Sequence, residues 1–346
     1  MLKASFRPYK LIFNAPGGTS RGVLTEKPSW FISVWEEKHP EKKGIGECSV
    51  LPKLSPDDRP EIEAKLREVC QNINALRTNF HASLAPWPAI RFALETAFLD
   101  LQEGAKKILF PGPFTKGEKG IPINGLIWMG SPDEMKKQIA EKLKAGFHCL
   151  KMKIGAIDFE QEYQILKNLR RSYHSDELEL RVDANGAFSF AEAPVMLERL
   201  ANLSIHSIEQ PIKAGQWQEM ARLCETTPLP IALDEELIGI TDVEEKQKMV
   251  STIKPQYIIL KPSLTGGFRA SEEWITIAEK NDVGWWITSA LESNTGLNAI
   301  AQWTSTLNNS LPQGLGTGQV FSNNLDSPLK IRKGELWTEK QVSPQK

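Results

Sequence analysis

The chain has 346 residues, 40% of them hydrophobic, and 42 basic side chains against 43 acidic ones leave a formal net charge of −1. This is enough chain to bury one large core or two smaller ones. A charge so balanced offers no footprint for a polyanion, so nucleic-acid binding is disfavoured. No run of about 18 apolar residues occurs, and residues 1–13 alternate apolar with basic residues where an exported protein would carry a leader. A soluble cytoplasmic protein with no membrane partner is expected. Cys48, Cys70, Cys149 and Cys224 lack CxxC spacing and sit in apolar periodic stretches, which predicts buried thiols.

Residues 1–52 hold alternating stretches separated by Gly and Pro, such as Phe31-Ile32-Ser33-Val34-Trp35, and predict an antiparallel meander. Helices are expected at 60–76 and 88–104. The result is an α+β layer over 1–112, ended by a linker, Pro111-Gly112-Pro113 with Gly117 and Gly120 close behind. From about residue 120 short apolar runs alternate with amphipathic helices. Ser131-Pro132-Asp133-Glu134 supplies an N-cap, a proline at the first helical position and acid at the positive dipole end. Strands are predicted at 121–127, 149–153, 178–183, 205–209, 231–234, 257–261, 285–289 and 314–317, with a capping box at 241–244 before one intervening helix. Eight strands in about 200 residues suit a closed barrel, and no long helix follows the last strand. The expected fold is a modified TIM-type (β/α)7β barrel over 120–317, preceded by an α+β capping domain that the segment 318–346 rejoins.

The charged residues that close these strands carry the chemistry. Lys151 and Lys153, Asp183, Glu209, Asp234 and Lys261 each end an apolar run, one βα unit apart. Catalytic groups of such barrels sit at the carboxyl ends of strands. Three converging interior carboxylates need a cation, and all-oxygen ligation points to Mg²⁺, with Mn²⁺ as the alternative. Lys151 and Lys153 face the same way because strand side chains repeat every two residues. Lys261 arrives from the far side of the acids, so a substrate carboxylate would have a lysine on either flank. A second ammonium, a dication and burial would all lower a lysine's pKa enough for it to act as a base.

Five stretches, Lys151-Met-Lys153-Ile-Gly, Arg181-Val-Asp183-Ala-Asn185, Ile208-Glu209-Gln210-Pro211, Leu233-Asp234-Glu235-Glu236 and Leu260-Lys261-Pro262, resemble the motif set of the enolase superfamily, in its muconate-lactonizing subgroup. Within that subgroup the chain most resembles the o-succinylbenzoate synthases. That likeness rests on the stretch from Gly18 through Arg21 to Gly22, on Gly46-Glu47-Cys48, on Thr288-Ser289-Ala290-Leu291-Glu292-Ser293 and on Gly314-Leu315-Gly316-Thr317. The resemblance implies a small carboxylate substrate and a dehydration that yields an aromatic acid. It implies Lys153 as base and then acid, Lys261 as the stabiliser of the enediolate, and Lys151 as the residue that tunes Lys153.

Other positions have two readings each. Arg181 either aids the metal shell or substrate, or forms a structural ion pair. Asn185 either orients Asp183 or makes an Asn-Gly turn, and Glu235 beside Asp234 is a further candidate for the same shell. Thr288, Ser289 and Glu292 either contact substrate or shape the seventh rim loop. Gly314 and Gly316 either bring backbone N–H groups to a carboxylate or permit a turn, and Arg21 either meets the substrate's second carboxylate or sits in a plain hairpin. Opposed lysines also suit two-base inversion, which keeps N-succinylamino acid racemase and dipeptide epimerase as alternatives, although the Asp-x-Asp common near the eighth strand of the epimerases is missing. A non-enzymatic binding module is the third alternative. Oligomeric state is not legible.

Overall fold

The computed structural model describes residues 1–19, 22–155 and 157–339, and its first three strands form an antiparallel sheet: β1 (Leu2–Thr19), β2 (Gly22–Glu36) and β3 (Lys43–Ser49). Inward residues of β2 and β3, among them Ile32, Val34 and Cys48, pack against α1 (Ile62–Gln71), α2 (Ile73–Leu76), α3 (Phe80–Ser83) and α4 (Pro88–Gln102). Each such buried aliphatic side chain contributes roughly 1.5–3 kcal/mol. The single helix expected at 60–76 is broken at Asn72, whose side-chain amide donates to the Glu68 carbonyl and competes with the helix ladder.

The second body alternates strand and helix. Its elements run β4 (Ile121–Pro122), β5 (Gly125–Ile127), α5 (Pro132–Lys144), β6 (Cys149–Lys153), α6 (Phe159–Ser172), β7 (Glu179–Asp183), α7 (Ala193–Ala201), β8 (Ser207–Glu209), α8 (Trp217–Thr226) and β9 (Ile231–Leu233). There follow α9 (Val243–Ile253), β10 (Tyr257–Leu260), α10 (Pro262–Thr265), α11 (Phe268–Lys280), β11 (Gly284–Ile287), α12 (Asn294–Thr304), β12 (Leu329–Arg332) and β13 (Glu335–Thr338). Strands β5 to β11 form one parallel sheet in sequence order. Its period-2 pattern divides the side chains: Leu150, Val182, Ile208, Leu233, Ile258 and Ile287 face outward into the main core under the helices. Their neighbours Lys151, Lys153, Asp183 and Glu209 face into the barrel.

Two expected strands differ. The run at 121–127 is split, because Pro122 has no N–H to carry a ladder onward, and Ile121–Pro122 pairs with β13 instead of joining the barrel. The eighth segment forms no regular strand: Gln313 bridges Ile123 and Gly314 bridges Thr288. Those single bridges, with Asn124 N donating to Gln313 O at 3.0 Å and Gly314 N to Ile287 O at 2.8 Å, close the ring between β5 and β11. The fold is thus a modified (β/α)7β barrel behind an α+β cap. After the barrel the chain runs beside β1, with Phe13 bridging Phe321, before β12 and β13 pair with each other. Among the described residues no helix is long and apolar enough to cross a membrane, and the four cysteines are free, three of them buried.

Candidate active site

The carboxyl ends of β6 to β10 open on a cavity of about 300 Å³, bordered also by Gly22 to Leu24 of the cap and by the loop carrying Leu51 to Leu54. Lys151, Lys153, Asp183, Asn185 and Lys261 line it, as do Thr288, Ser289, Gly314 and Gly316. The register sets Lys153 beside Asp183 and Asp183 beside Glu209, so one layer of the barrel carries all three. Lys153 Nζ donates to Asp183 Oδ2 and to Asn185 Oδ1, both at 2.7 Å. Lys151, one layer lower, donates to Glu209 Oε2 at 2.5 Å and to Asp183 Oδ2 at 3.3 Å. From the far side of the row, Lys261 pairs with Asp234 and stands 3.9 Å from Glu209 Oε1.

Burial, followed by the neighbouring Asp183 charge, pushes the Glu209 carboxyl up to about 8 even though Lys151 and Lys261 pull it down. For Asp183 burial acts the same way, but Lys153 and Lys151 outweigh it and hold the carboxyl well below the usual range. Burial alone would lower Lys151; Glu209 and Asp183 reverse this, so its proton is held more tightly than that of a free lysine. Lys261 is raised in the same manner by Asp234 and Glu209. The expected lowering by a paired ammonium is therefore overridden at Lys151 by two adjacent carboxylates.

Among the described residues no three acidic, His or Cys groups stand close enough to grip an ion as they are placed, and each carboxylate of the row is paired with an ammonium. The donor set still fits a hard cation. Three acids come from consecutive strands, and the buried Glu209 Oε1 has no hydrogen-bond partner.

The remaining candidates separate cleanly. Asn185 satisfies both of its readings: its φ of 45° makes the turn, its N–H donates to Asp183 Oδ1 at 3.1 Å, and its amide donates to Glu235 Oε1 at 3.0 Å. Arg181 points into the barrel but away from the cavity, to Glu179 at 2.6 Å, the Pro312 carbonyl at 2.9 Å and the face of Trp286. These partners are those of a structural ion pair, the guanidinium being turned away from Asp183 although Lys151 at the same register reaches it. Glu292 does not border the cavity; it accepts from Ser263, from Ser289 Oγ at 2.7 Å and from Ala290 N at 2.9 Å, and so shapes the rim loop. The Gly314 N–H is spent on barrel closure and is not offered to a carboxylate, and its glycine is required because a Cβ would stand 2.4 Å from Thr288 Oγ1. Gly316 borders the cavity with room for a Cβ. Arg21 lies outside the described residues. Sequence reading overlooked Asn124, Leu126 and Trp128, which line the cavity at alternate positions of the first strand run; that alternation was the available signal.

Residues 134–341, more than half of the chain, match the family described as Enolase C-terminal domain-like. The o-succinylbenzoate synthase of Desulfotalea psychrophila (strain LSv54 / DSM 12343) is 48% identical, across 97% of this chain and 98% of that protein. A crystal structure of MenC from Desulfotalea psychrophila LSv54 superposes with a TM-score of 0.86 at 44% identity, covering 97% of this chain and 99% of that one. Muconate lactonizing enzyme from Pseudomonas fluorescens, complexed with muconolactone, shares the fold, with a TM-score of 0.78 at 21% identity over 97% of this chain and 93% of that one. A barrel whose strand ends carry this lysine and carboxylate series, together with likeness along nearly the whole sequence, makes the chain a member of the enolase superfamily.

Proposed function

We propose that the protein is an o-succinylbenzoate synthase, a metal-dependent carbon–oxygen lyase of menaquinone biosynthesis that works in the cytoplasm. It converts 2-succinyl-6-hydroxy-2,4-cyclohexadiene-1-carboxylate to 2-succinylbenzoate and water. One juxtaposition carries the reading: Lys153 and Lys261 reach a single row of buried carboxylates from opposite sides of one cavity. The likeness at 48% identity to an o-succinylbenzoate synthase supports the choice of substrate.

Asp183, Glu209 and Asp234 would hold Mg²⁺ or Mn²⁺, which when bound offsets their charge and favours negative charge on a substrate carboxylate. Lys153, in its neutral form, takes the proton from the ring carbon α to the carboxylate. The electron pair of that C–H bond is held as the enediolate, against which the Lys261 ammonium stands on the opposite face. As the adjacent C–O bond breaks, the pair forms the new ring double bond and Lys153 returns its proton to the departing hydroxyl. The net loss is one water, and lysine is regenerated. Lys261 acts on charge that exists only after proton removal begins, which lowers the barrier instead of tightening ground-state binding. Asn185 keeps Lys153 aimed, with its oxygen 2.7 Å from Nζ. Leu24, Leu51, Leu126 and Trp128 supply apolar wall for a six-membered ring.

Opposed lysines also favour a second reading, racemisation of N-succinylamino acids. The test is to incubate the protein with Mg²⁺ and the cyclohexadiene acid, and separately with N-succinylamino acids in D₂O. Appearance of the aromatic product is expected; α-deuterium exchange without aromatic product would replace the synthase reading by the racemase.

A further inference from the structure

Lys27 of β2 and Glu47 of β3 are both fully buried in the cap, where a charge is costly unless it is paired. Lys27 Nζ donates to Ser49 Oγ at 2.7 Å and to Ser29 Oγ at 3.1 Å, and Ser29 Oγ passes the chain on to Glu47 Oε1 at 2.9 Å. The other donors to Glu47 come from the barrel. Ser293 N and Oγ stand 2.9 and 2.5 Å from it, and Gly296 N stands 3.0 Å away. A cap carboxylate therefore accepts from the N–H of Ser293, the N-cap of α12, and from that of Gly296 in its first turn, and opposes the positive end of the helix dipole.

The residues just before that helix form the cavity wall. Thr288, Ser289, Ala290 and Leu291 all border it. Leu291 holds a φ of 59°, a left-handed conformation that a leucine keeps only when its surroundings fix it. Two buried carboxylates do the fixing: Glu292 binds Ser289 and Ala290 within the turn, and Glu47 grips the residues that follow it. Glu292 also takes the hydroxyl of Ser263, two residues beyond Lys261, so the same wall is tied to the strand end carrying that lysine.

We infer that Glu47 is a positioning residue for the reaction: from the cap it holds the strained wall formed by residues 288–291 in the shape the substrate meets. The inference rests on the cavity being the substrate site proposed above. Glu47 does not line the cavity and acts through Ser293 and Gly296. The cap thereby supplies more than a lid, since one of its charges sets a barrel surface that the barrel's own residues leave strained.

The test compares wild type with Glu47→Gln in the full-length Mg²⁺-loaded protein. Glutamine keeps the size but removes the charge and turns an amide N–H₂ toward N–H donors. The KM for the cyclohexadiene acid should rise about tenfold, as for one lost charge-assisted hydrogen bond, while kcat stays within about threefold. Amide hydrogen exchange across 288–296, read without substrate, should quicken by about tenfold. Asp242→Ala, which removes a helix cap at α9, serves as the stability control and should leave both readouts at wild-type values. If Glu47→Gln lowers the melting temperature as that control does, yet leaves KM and exchange unchanged, the inference is overturned. Should Glu47→Gln fail to fold, Ser29→Ala removes one donor to Glu47 and should raise KM about twofold; an unchanged KM there overturns it equally. The exchange readout needs no substrate, so a wild-type protein that failed to make the aromatic product would sink the proposed function without deciding this point.

Discussion

Lys151 and Arg181 face into the barrel from neighbouring strands and share one register position, yet their surroundings give them opposite uses. The lysine reaches up to two carboxylates; the longer guanidinium turns down to Glu179 and a loop carbonyl. Arg181→Met should therefore cost about 2–4 kcal/mol of stability, as a buried charged group loses its hydrogen bonds and leaves Glu179 unpaired. Urea unfolding checks this, and KM should stay near the wild-type value. The polar residue that closes each apolar run was legible because the β period fixes which way it points. The fate of Arg181 was not, because its partner Pro312 lies 131 residues away in sequence. Removing divalent ions with a chelator should abolish turnover, and added Mg²⁺ or Mn²⁺ should restore it; activity that survives chelation would contradict the part given to the three acids.

Helix α4 lies so close to β3 that a Cβ at Gly46 would stand 1.9 Å from the Ala93 carbonyl oxygen, and one at Gly44 would stand 2.1 Å from that of Ala97. Gly46→Ala should destabilise the protein by about 3 kcal/mol or more, measured by denaturant unfolding, since backbone cannot retreat as a side-chain tip can. The same helix reaches the barrel through Glu95, which accepts from Phe268 N and Arg269 N at the start of α11. Burial pushes the Glu95 carboxyl from an ordinary 4.5 up to about 7. An acid raised in this way binds its proton more tightly when folded. Its contribution is complete below about pH 4.5 and is lost as pH climbs through 7, by at most about 1.4 kcal/mol per pH unit. Glu95→Gln cannot ionise, so thermal melts across this window should show wild type losing stability relative to the variant, with no further divergence above it. At this scale the βα alternation was readable from periodicity alone. The capping box expected at 241–244 is instead a cap by Asp242, which accepts from Glu244 N and Glu245 N, a choice between adjacent capping residues that spacing does not make. The eighth strand was misjudged because two single bridges close a ring without leaving a periodic run.

Across the whole molecule the cavity belongs to neither part alone. Val23, Leu24 and Leu51 from the cap meet Lys153, Lys261 and Thr288 from the barrel around one space, and Leu11, Phe13, Leu264 and Leu291 pack together beside it. That two textures of sequence mark a cap and a barrel was legible in the alternation of residues 1–52 against the longer period after 120. Their joining was not, since Glu47 and Ser293 stand 246 residues apart and nothing local marks either as a partner. The segment after the barrel likewise serves both parts, running beside β1 and then pairing with β4. What the arrangement achieves is a chamber beside which two amines stand on opposite flanks of three acids. The most direct measurement is the rate of 2-succinylbenzoate formation by Lys153→Ala and Lys261→Ala with Mg²⁺ present and the fold verified by circular dichroism. Each rate should fall by at least about a thousandfold, whereas aromatic product formed at near wild-type rate by the folded Lys153→Ala protein would contradict the assignment of that amine as base and acid.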